Sequence, residues 1–273
     1  MRALISGAGI AGPTLAHFLS RFGAQVTIVE KASTMLTQGH NIDVHGTALN
    51  IINKMGLLTE LKKRNTTEMG TRFLDENGFP RRRHCGLLVK IGISTIDWYD
   101  LLVAADGQWS PIRKAVFPAD AVQVINKGCY CVYATKQAWD SAARSHNRKT
   151  QMDLIRSELA DIPYAPVPRL LEGMVEAKDL YFQTVSHIRL SKWSKNRVIC
   201  LGDTAYAPTP FTGMGTSLAI NGAYLLAGHL SQLKEGEHPR RAFEEYEKEF
   251  KPFVQEIQDI PWFVPGIAHP QYA

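Results

Sequence analysis

The chain has 273 residues, 45% of them hydrophobic, which is enough for one large α/β domain or one domain with a smaller insert. Its 31 Lys and Arg against 26 Asp and Glu leave a net charge of +5. The one short basic run, Arg81-Arg82-Arg83, lacks the long stripe with interleaved aromatics of nucleic-acid binders, so no nucleic-acid partner is expected. The four cysteines (Cys85, Cys129, Cys131, Cys200) and the nine histidines show no metal-ligand spacing, so no metal is expected. On a strand Cys129 and Cys131 would share a face, which suits packing. The first apolar run is too short and glycine-interrupted for a signal peptide, and the apolar stretch 215–230 is too short to span a bilayer. A soluble, reduced, cytoplasmic protein with no transmembrane segment is expected; the oligomeric state is not legible.

The first twelve residues organise the rest. Ala3, Leu4 and Ile5 predict a buried strand, Gly7-Ala8-Gly9-Ile10-Ala11-Gly12 reads G-x-G-x-x-G, and an apolar helix follows through Phe22. This is the strand, glycine turn and helix of a dinucleotide fingerprint. Gly7 permits the tight turn, Gly9 lets the backbone approach a pyrophosphate, and Gly12 lets helix and strand pack closely. The anion would sit on unpaired N–H groups at the helix start. A β-branched strand over 25–29 then ends on Glu30, whose carboxylate suits a ribose 2′-OH and repels a 2′-phosphate. The residues therefore point to FAD or NAD.

After a polar loop, 41–44 suggests a short strand and 47–55 a helix with Ala48, Leu49, Ile51, Ile52 and Met55 inward, closed by an αL Gly56. A short helix over 57–63 and a strand over 71–74 with a hairpin turn at 75–78 follow. The segment 99–107 reads as a buried parallel strand ending on Asp106-Gly107, with Ser110 as N-cap and Pro111 opening the next helix. Over 119–196 the texture changes to alternating strands (121–125, 128–135, 179–190), helices (152–159, 169–174) and a proline-rich link. The last buried strand ends on Gly202-Asp203. Gly213-Met214-Gly215-Thr216 opens a small-residue helix. In the final helix, 242–257, Phe243, Tyr246, Phe250, Phe253 and Ile257 are spaced for the core, and Pro252 predicts a kink.

Three motifs, Gly7 to Gly12 with Glu30, Asp106-Gly107, and Gly202-Asp203 with Ala205 and Pro208, stand in the order found in group A FAD-dependent aromatic hydroxylases. The chain resembles that family, the p-hydroxybenzoate and salicylate hydroxylase-like monooxygenases, and within it the microbial secondary-metabolite members. The resemblance implies an α/β Rossmann-like FAD-binding domain with a smaller, reduced substrate-domain β-sheet. It divides the chain into FAD-binding parts at 1–118 and 197–240, a substrate domain at 119–196, and a C-terminal helix and tail at 241–273. It implies noncovalent FAD, held by Gly7, Gly9, Gly12, Glu30, Asp106, Asp203, Gly215 and Thr216, and NADPH or NADH as cosubstrate. The mild positive charge favours an anionic cosubstrate of that kind. The implied activity is NAD(P)H- and O2-dependent oxygenation of a hydrophobic aromatic or polycyclic small molecule.

The chain departs from the family in a short segment before Asp106, a short stretch from Arg113 to Arg197, Tyr206 where many members have His, and no assignable flavin-contacting arginine after the hairpin. The alternatives are a shortened FAD-binding protein with little or no catalysis, and an NAD-dependent oxidoreductase.

Overall fold

The computed structural model describes residues 1–32, 44–63, 99–128, 147–160, 167–176, 185–209 and 212–259. The sequence readings at 33–43, 64–98, 129–146 and 177–184 lie outside these, including the hairpin at 71–78, Cys85, Cys129, Cys131 and the basic run. The chain divides into two compact units: Met1–Thr37, Asn41–Val124 and His187–Ile260 form the first, and Gln38–His40, Ile125–Ser186 and Pro261–Ala273 the second.

The first unit is built on a five-stranded sheet. Strands β1 (Arg2–Ser6), β2 (Gln25–Val29), β3 (Leu101–Ala104), β6 (Ser194–Lys195) and β7 (Val198–Cys200) lie in the order β2-β1-β3-β7-β6. The first four are parallel and β6 runs antiparallel to β7. A parallel sheet is covered on both faces, so its strands read as apolar runs rather than alternations. Leu101, Val103 and Ala104 are accordingly buried, as are Ile199 and Cys200. One register row, Val29–Ser6–Ala104–Cys200, ends the four parallel strands on the same edge.

Helices α1 (Ala11–Arg21), α2 (Thr47–Lys54), α3 (Leu58–Lys63), α4 (Pro111–Val116), α7 (Asp203–Tyr206), α8 (Gly215–Ser231) and α9 (Arg240–Gln258) complete the unit. Ser110 caps α4 by accepting the Arg113 N–H at 2.9 Å, with Pro111 in the first turn, as the sequence predicts. Gly56 closes α2 with a positive φ of 74°, also as predicted. Two side chains expected in the core are not there. Leu49 is 38% exposed, because it sits a quarter-turn from the stripe of Ala48, Ile51 and Ile52. Phe253 is 41% exposed, and Val254, one residue on, completes the stripe of Phe243, Tyr246 and Phe250. Helix α9 runs through Pro252 from Arg240 to Gln258.

In the second unit, helix α5 (Arg148–Leu159) is capped by the Asn147 side chain, which accepts the Thr150 N–H at 3.2 Å, and it packs on α6 (Val167–Glu176). Strands β4 (Val122–Gly128) and β5 (Val185–Leu190) form a separate two-stranded sheet.

Helices α8 and α9 meet through an aromatic cluster. Tyr206 and Tyr246 pair their hydroxyls at 2.9 Å in the core, and Trp193 lies against both rings at 4.6 and 5.4 Å. The pairing gives two otherwise costly buried hydroxyls their partners. Gly222 of α8 makes room for it: a Cβ there would lie 2.1 Å from the Tyr206 hydroxyl and 2.8 Å from that of Tyr246. Overpacking of this kind costs about 1–3 kcal/mol. Gly222→Ala should therefore lower the melting temperature, and adding Tyr206→Phe should recover part of the loss by removing the nearest atom. Wild-type melting of the single variant would contradict this packing.

Candidate functional site

The register row delivers the ends of the three motifs to one edge of the sheet. The ladder runs one residue beyond it, with Gly7 N–H on Val29 O at 2.8 Å, Ala105 N–H on Ser6 O at 2.8 Å and Leu201 N–H on Ala104 O at 2.9 Å. Gly7, Glu30, Asp106 and Asp203 thus emerge side by side at the carboxyl ends of β1, β2, β3 and β7. In an open α/β sheet this edge is where ligands bind, at the point where the strand order reverses.

The three glycines have separable roles. Gly7 has φ of 109°, and a Cβ on it would stand 2.2 Å from Ala105 O, inside the backbone of the neighbouring loop. A Cβ on Gly12 would meet Gly7 O at 2.1 Å, so α1 could not lie on the turn. Gly9 is different: nothing lies within 4 Å of the position its Cβ would take. The N-cap residue of α1, Ile10, makes no side-chain cap, which leaves the helix's first N–H groups available beside that open space. A pyrophosphate fits such a cradle.

Glu30 closes the turn. Its carboxylate accepts the N–H of Ala8 at 2.9 Å and of Ala32 at 3.0 Å. Partial burial works against its charge. The N–H groups of Ala8, Ala32 and Lys31 and the Lys31 ammonium outweigh it and hold the carboxyl below its ordinary range. Glu30 is therefore ionised at neutral pH, and each oxygen keeps a lone pair for a ribose hydroxyl.

Asp203 opens the one-turn helix α7. It is exposed to solvent, yet surrounding protein pushes its carboxyl from 3.8 up to about 6 by desolvation. Gly215 and Thr216 begin α8, which also lacks a side-chain cap, so their N–H groups are available. Ser217 and Asn221 in the same helix hold the start of α2 and the residues leading into it, through His45 N–H on Ser217 Oγ at 2.9 Å and Thr47 Oγ1 on Asn221 Oδ1 at 2.7 Å.

Two residues the sequence reading passed over tie the second motif to the third. Arg113 is 2% exposed and spans both, donating from Nη1 to Thr204 O at 2.7 Å and from Nη2 to Gln108 O at 2.7 Å. Thr204 Oγ1 accepts the Gly107 N–H at 3.0 Å and lies 3.4 Å from Asp106 Oδ1. Burial pulls the Arg113 pKa below that of an ordinary arginine, and Asp106 opposes the shift. Asp106 Oδ2 is buried with no hydrogen-bond partner among the described residues. The available signal was Arg113 one turn into a helix whose capping Ser110 had been recognised. Cys200, behind this latch, is an inert thiol whose pKa burial pushes up to about 12. No His, Cys, Asp and Glu grouping among the described residues could hold a metal ion, and no described helix is long and apolar enough to cross a membrane.

The family model for the FAD binding domain matches residues 1–99 and 172–260. The chain belongs to this family. It is 26% identical to a flavin-dependent monooxygenase of Legionella longbeachae, the match covering 94% of this chain and 87% of that protein. That alignment extends over 341 positions against 273 residues here, so the relative carries segments that this chain lacks. Among solved structures, the tetracycline destructase Tet(55) superposes with a TM-score of 0.79 at 25% identity, covering 99% of this chain and 90% of that one. CtdE in complex with FAD and a substrate shares the fold, with a TM-score of 0.72 at 18% identity over 95% of this chain and 87% of that one. The fold is that of the FAD-binding monooxygenases. The open cradle at Gly9, the ionised Glu30 and the accessible Asp203 fit FAD.

Two outcomes follow. Replacing Arg113 with Ala removes two charge-assisted hydrogen bonds, one buried and one half-buried, and should cost about 3 kcal/mol or more. Lys, a single point donor, should not restore the thermal midpoint, because the two acceptors need a fork. A Lys variant as stable as wild type would contradict the latch. Asp203 sets a pH dependence. Its pKa is raised in the folded state, so the FAD-free protein should lose stability as pH rises from about 4 through about 6. Asp203→Asn should then melt higher than wild type at pH 8 and alike near pH 4, while binding FAD more weakly. A variant less stable at pH 8 would contradict this.

Proposed function

We propose that this chain is an FAD-dependent monooxygenase that uses NAD(P)H and O2 to oxygenate a hydrophobic aromatic or polycyclic small molecule. The observation that carries the reading is the convergence of Gly9, Glu30 and Asp203 on one sheet edge in a chain of the FAD binding domain family. The likeness to a flavin-dependent monooxygenase and to a tetracycline destructase supports the reaction class and a ring-bearing substrate. Bound there, FAD supplies the redox chemistry, taking reducing equivalents from NAD(P)H and activating O2.

The chain's own residues would bind and orient. The N–H groups at the start of α1 hold the pyrophosphate, and Glu30 holds the adenosine ribose. Asp203 hydrogen-bonds the ribityl chain, and Asp106 sits at the pyrophosphate. The N–H groups of Gly215 and Thr216 face the pyrimidine end, where a helix start stabilises negative charge on reduced flavin. We assign 1–118 and 197–240 to FAD binding, 119–196 to the substrate domain and 241–273 to a C-terminal helix and tail, in a cytoplasmic enzyme of secondary metabolism.

Glu30→Ala should weaken FAD binding by about 10- to 100-fold, since hydrogen bonds to a charged group are lost; unchanged affinity would make Glu30 a loop fastener only. Oxygen transfer further requires a site kept dry. With segments of its relatives missing, the chain should oxidise NADPH with peroxide as the main product across a panel of aromatic and polyketide-like compounds. Tight coupling with one compound would show that the short segments still close the pocket. No NADPH oxidation by FAD-loaded protein would instead favour a non-catalytic flavin-binding role.

A further inference from the structure

A concavity lies on the first unit, lined by none of the residues assigned to the dinucleotide. It is a groove of about 880 Å³ between the β6–β7 hairpin on one wall and α9 on the other. That volume falls in the range of small-molecule sites. Along α9 it extends from Arg240 to Gln255, about 22 Å at the helical rise.

The walls are fastened together. The Glu247 carboxylate accepts the Trp193 backbone N–H at 2.9 Å and the Lys251 ammonium at 2.6 Å, and Lys251 also donates to Ser191 O. The hairpin is therefore latched to the helix by groups only partly exposed (18% and 26% of the Glu247 and Lys251 side chains). At its tip, Asn196 holds a positive φ of 54°.

The lining carries more positive charge than it neutralises. Glu247 offsets Lys251, and Glu244 offsets Arg240 at 2.7 Å. Lys192, Lys195 and Lys248 line the same groove with no carboxylate partner among the described residues. Lys195 Nζ donates to Val116 O, which fixes its position without neutralising it. The charge is uneven along α9: the paired Arg240 and Glu244 stand at its start, and Lys248 and Lys251 lie one and two turns on. A uniform polyanion along the groove would meet Glu244. A ligand with its anionic charge at the lysine end and hydrogen-bond donors at the Glu244 end would not.

We propose that this groove binds a nucleotide-sized ligand bearing a multiply charged phosphate group, at a site separate from the flavin crevice. The lysines take the phosphates, and the free acceptor capacity of Glu244 takes ribose or base donors. The ligand's recognition is salt-sensitive, because the lysines are exposed.

The test uses FAD-saturated protein, so that the probe cannot enter the dinucleotide crevice. ADP and inorganic diphosphate are titrated by calorimetry, with Trp193 fluorescence as a second readout. Saturable one-to-one ADP binding is expected, tighter than that of diphosphate. The double charge reversal K192E/K248E should weaken it by about tenfold or more while leaving FAD content and melting temperature unchanged. Absence of saturable binding, or equal affinity in the variant, would overturn the site. Diphosphate binding as tightly as ADP would overturn the nucleotide assignment.

Discussion

No side chain fits between Gly7 and the backbone at Ala105 and Asp106, and the flavin edge of this protein is built on that contact. With a Cβ 2.2 Å from Ala105 O excluded, β1 and β3 can run in register to their last residues and turn away together. The same close approach lets α1 descend onto the turn over Gly12. Displace either, and the N–H groups at the start of α1 no longer face the space left open at Gly9. The geometry that receives a dinucleotide is thus a consequence of backbone packing, with few side chains participating directly.

Behind that edge the side chains that matter are buried and act on the backbone. Arg113 holds one carbonyl from each of two loops, and Thr204 holds the Gly107 N–H. The loops after β3 and β7 therefore behave as one rigid piece, although their sequences are far apart. Rigid support of this kind is what keeps a binding constellation in its productive geometry. A buried charge is expensive, and it is tolerated here because each hydrogen bond it makes is charge-assisted. The Tyr206–Tyr246 pair anchors the far end of the same one-turn helix in the core between α8 and α9, so Asp203 is fixed from its own helix as well.

The parallel sheet and the placing of Gly7, Glu30, Asp106 and Asp203 were legible in the sequence, because a buried parallel strand is a short apolar run that ends where the chemistry begins. Caps were legible for a local reason: Ser110 and Gly56 act on residues within one turn. What was not legible depends on long-range contact. Arg113 looks like a solvated helix residue until Thr204, distant in sequence, comes to face it. Leu49 and Phe253 are apolar enough for the core but sit at the side of their helices' buried stripes, and a count of apolar residues does not register that rotation. The lysines of the groove beside α9 lie on two separate elements and form no run.

The central claim is that this sheet edge holds FAD. It is tested most directly by titrating FAD into the FAD-free protein and following flavin fluorescence and the visible spectrum. The account predicts saturation at one FAD per chain with a shifted flavin spectrum, and loss of both when Gly7 is replaced by Ala in a chain that still folds. A protein that leaves the flavin spectrum unchanged, or a Gly7→Ala variant that binds as well as wild type, would contradict it.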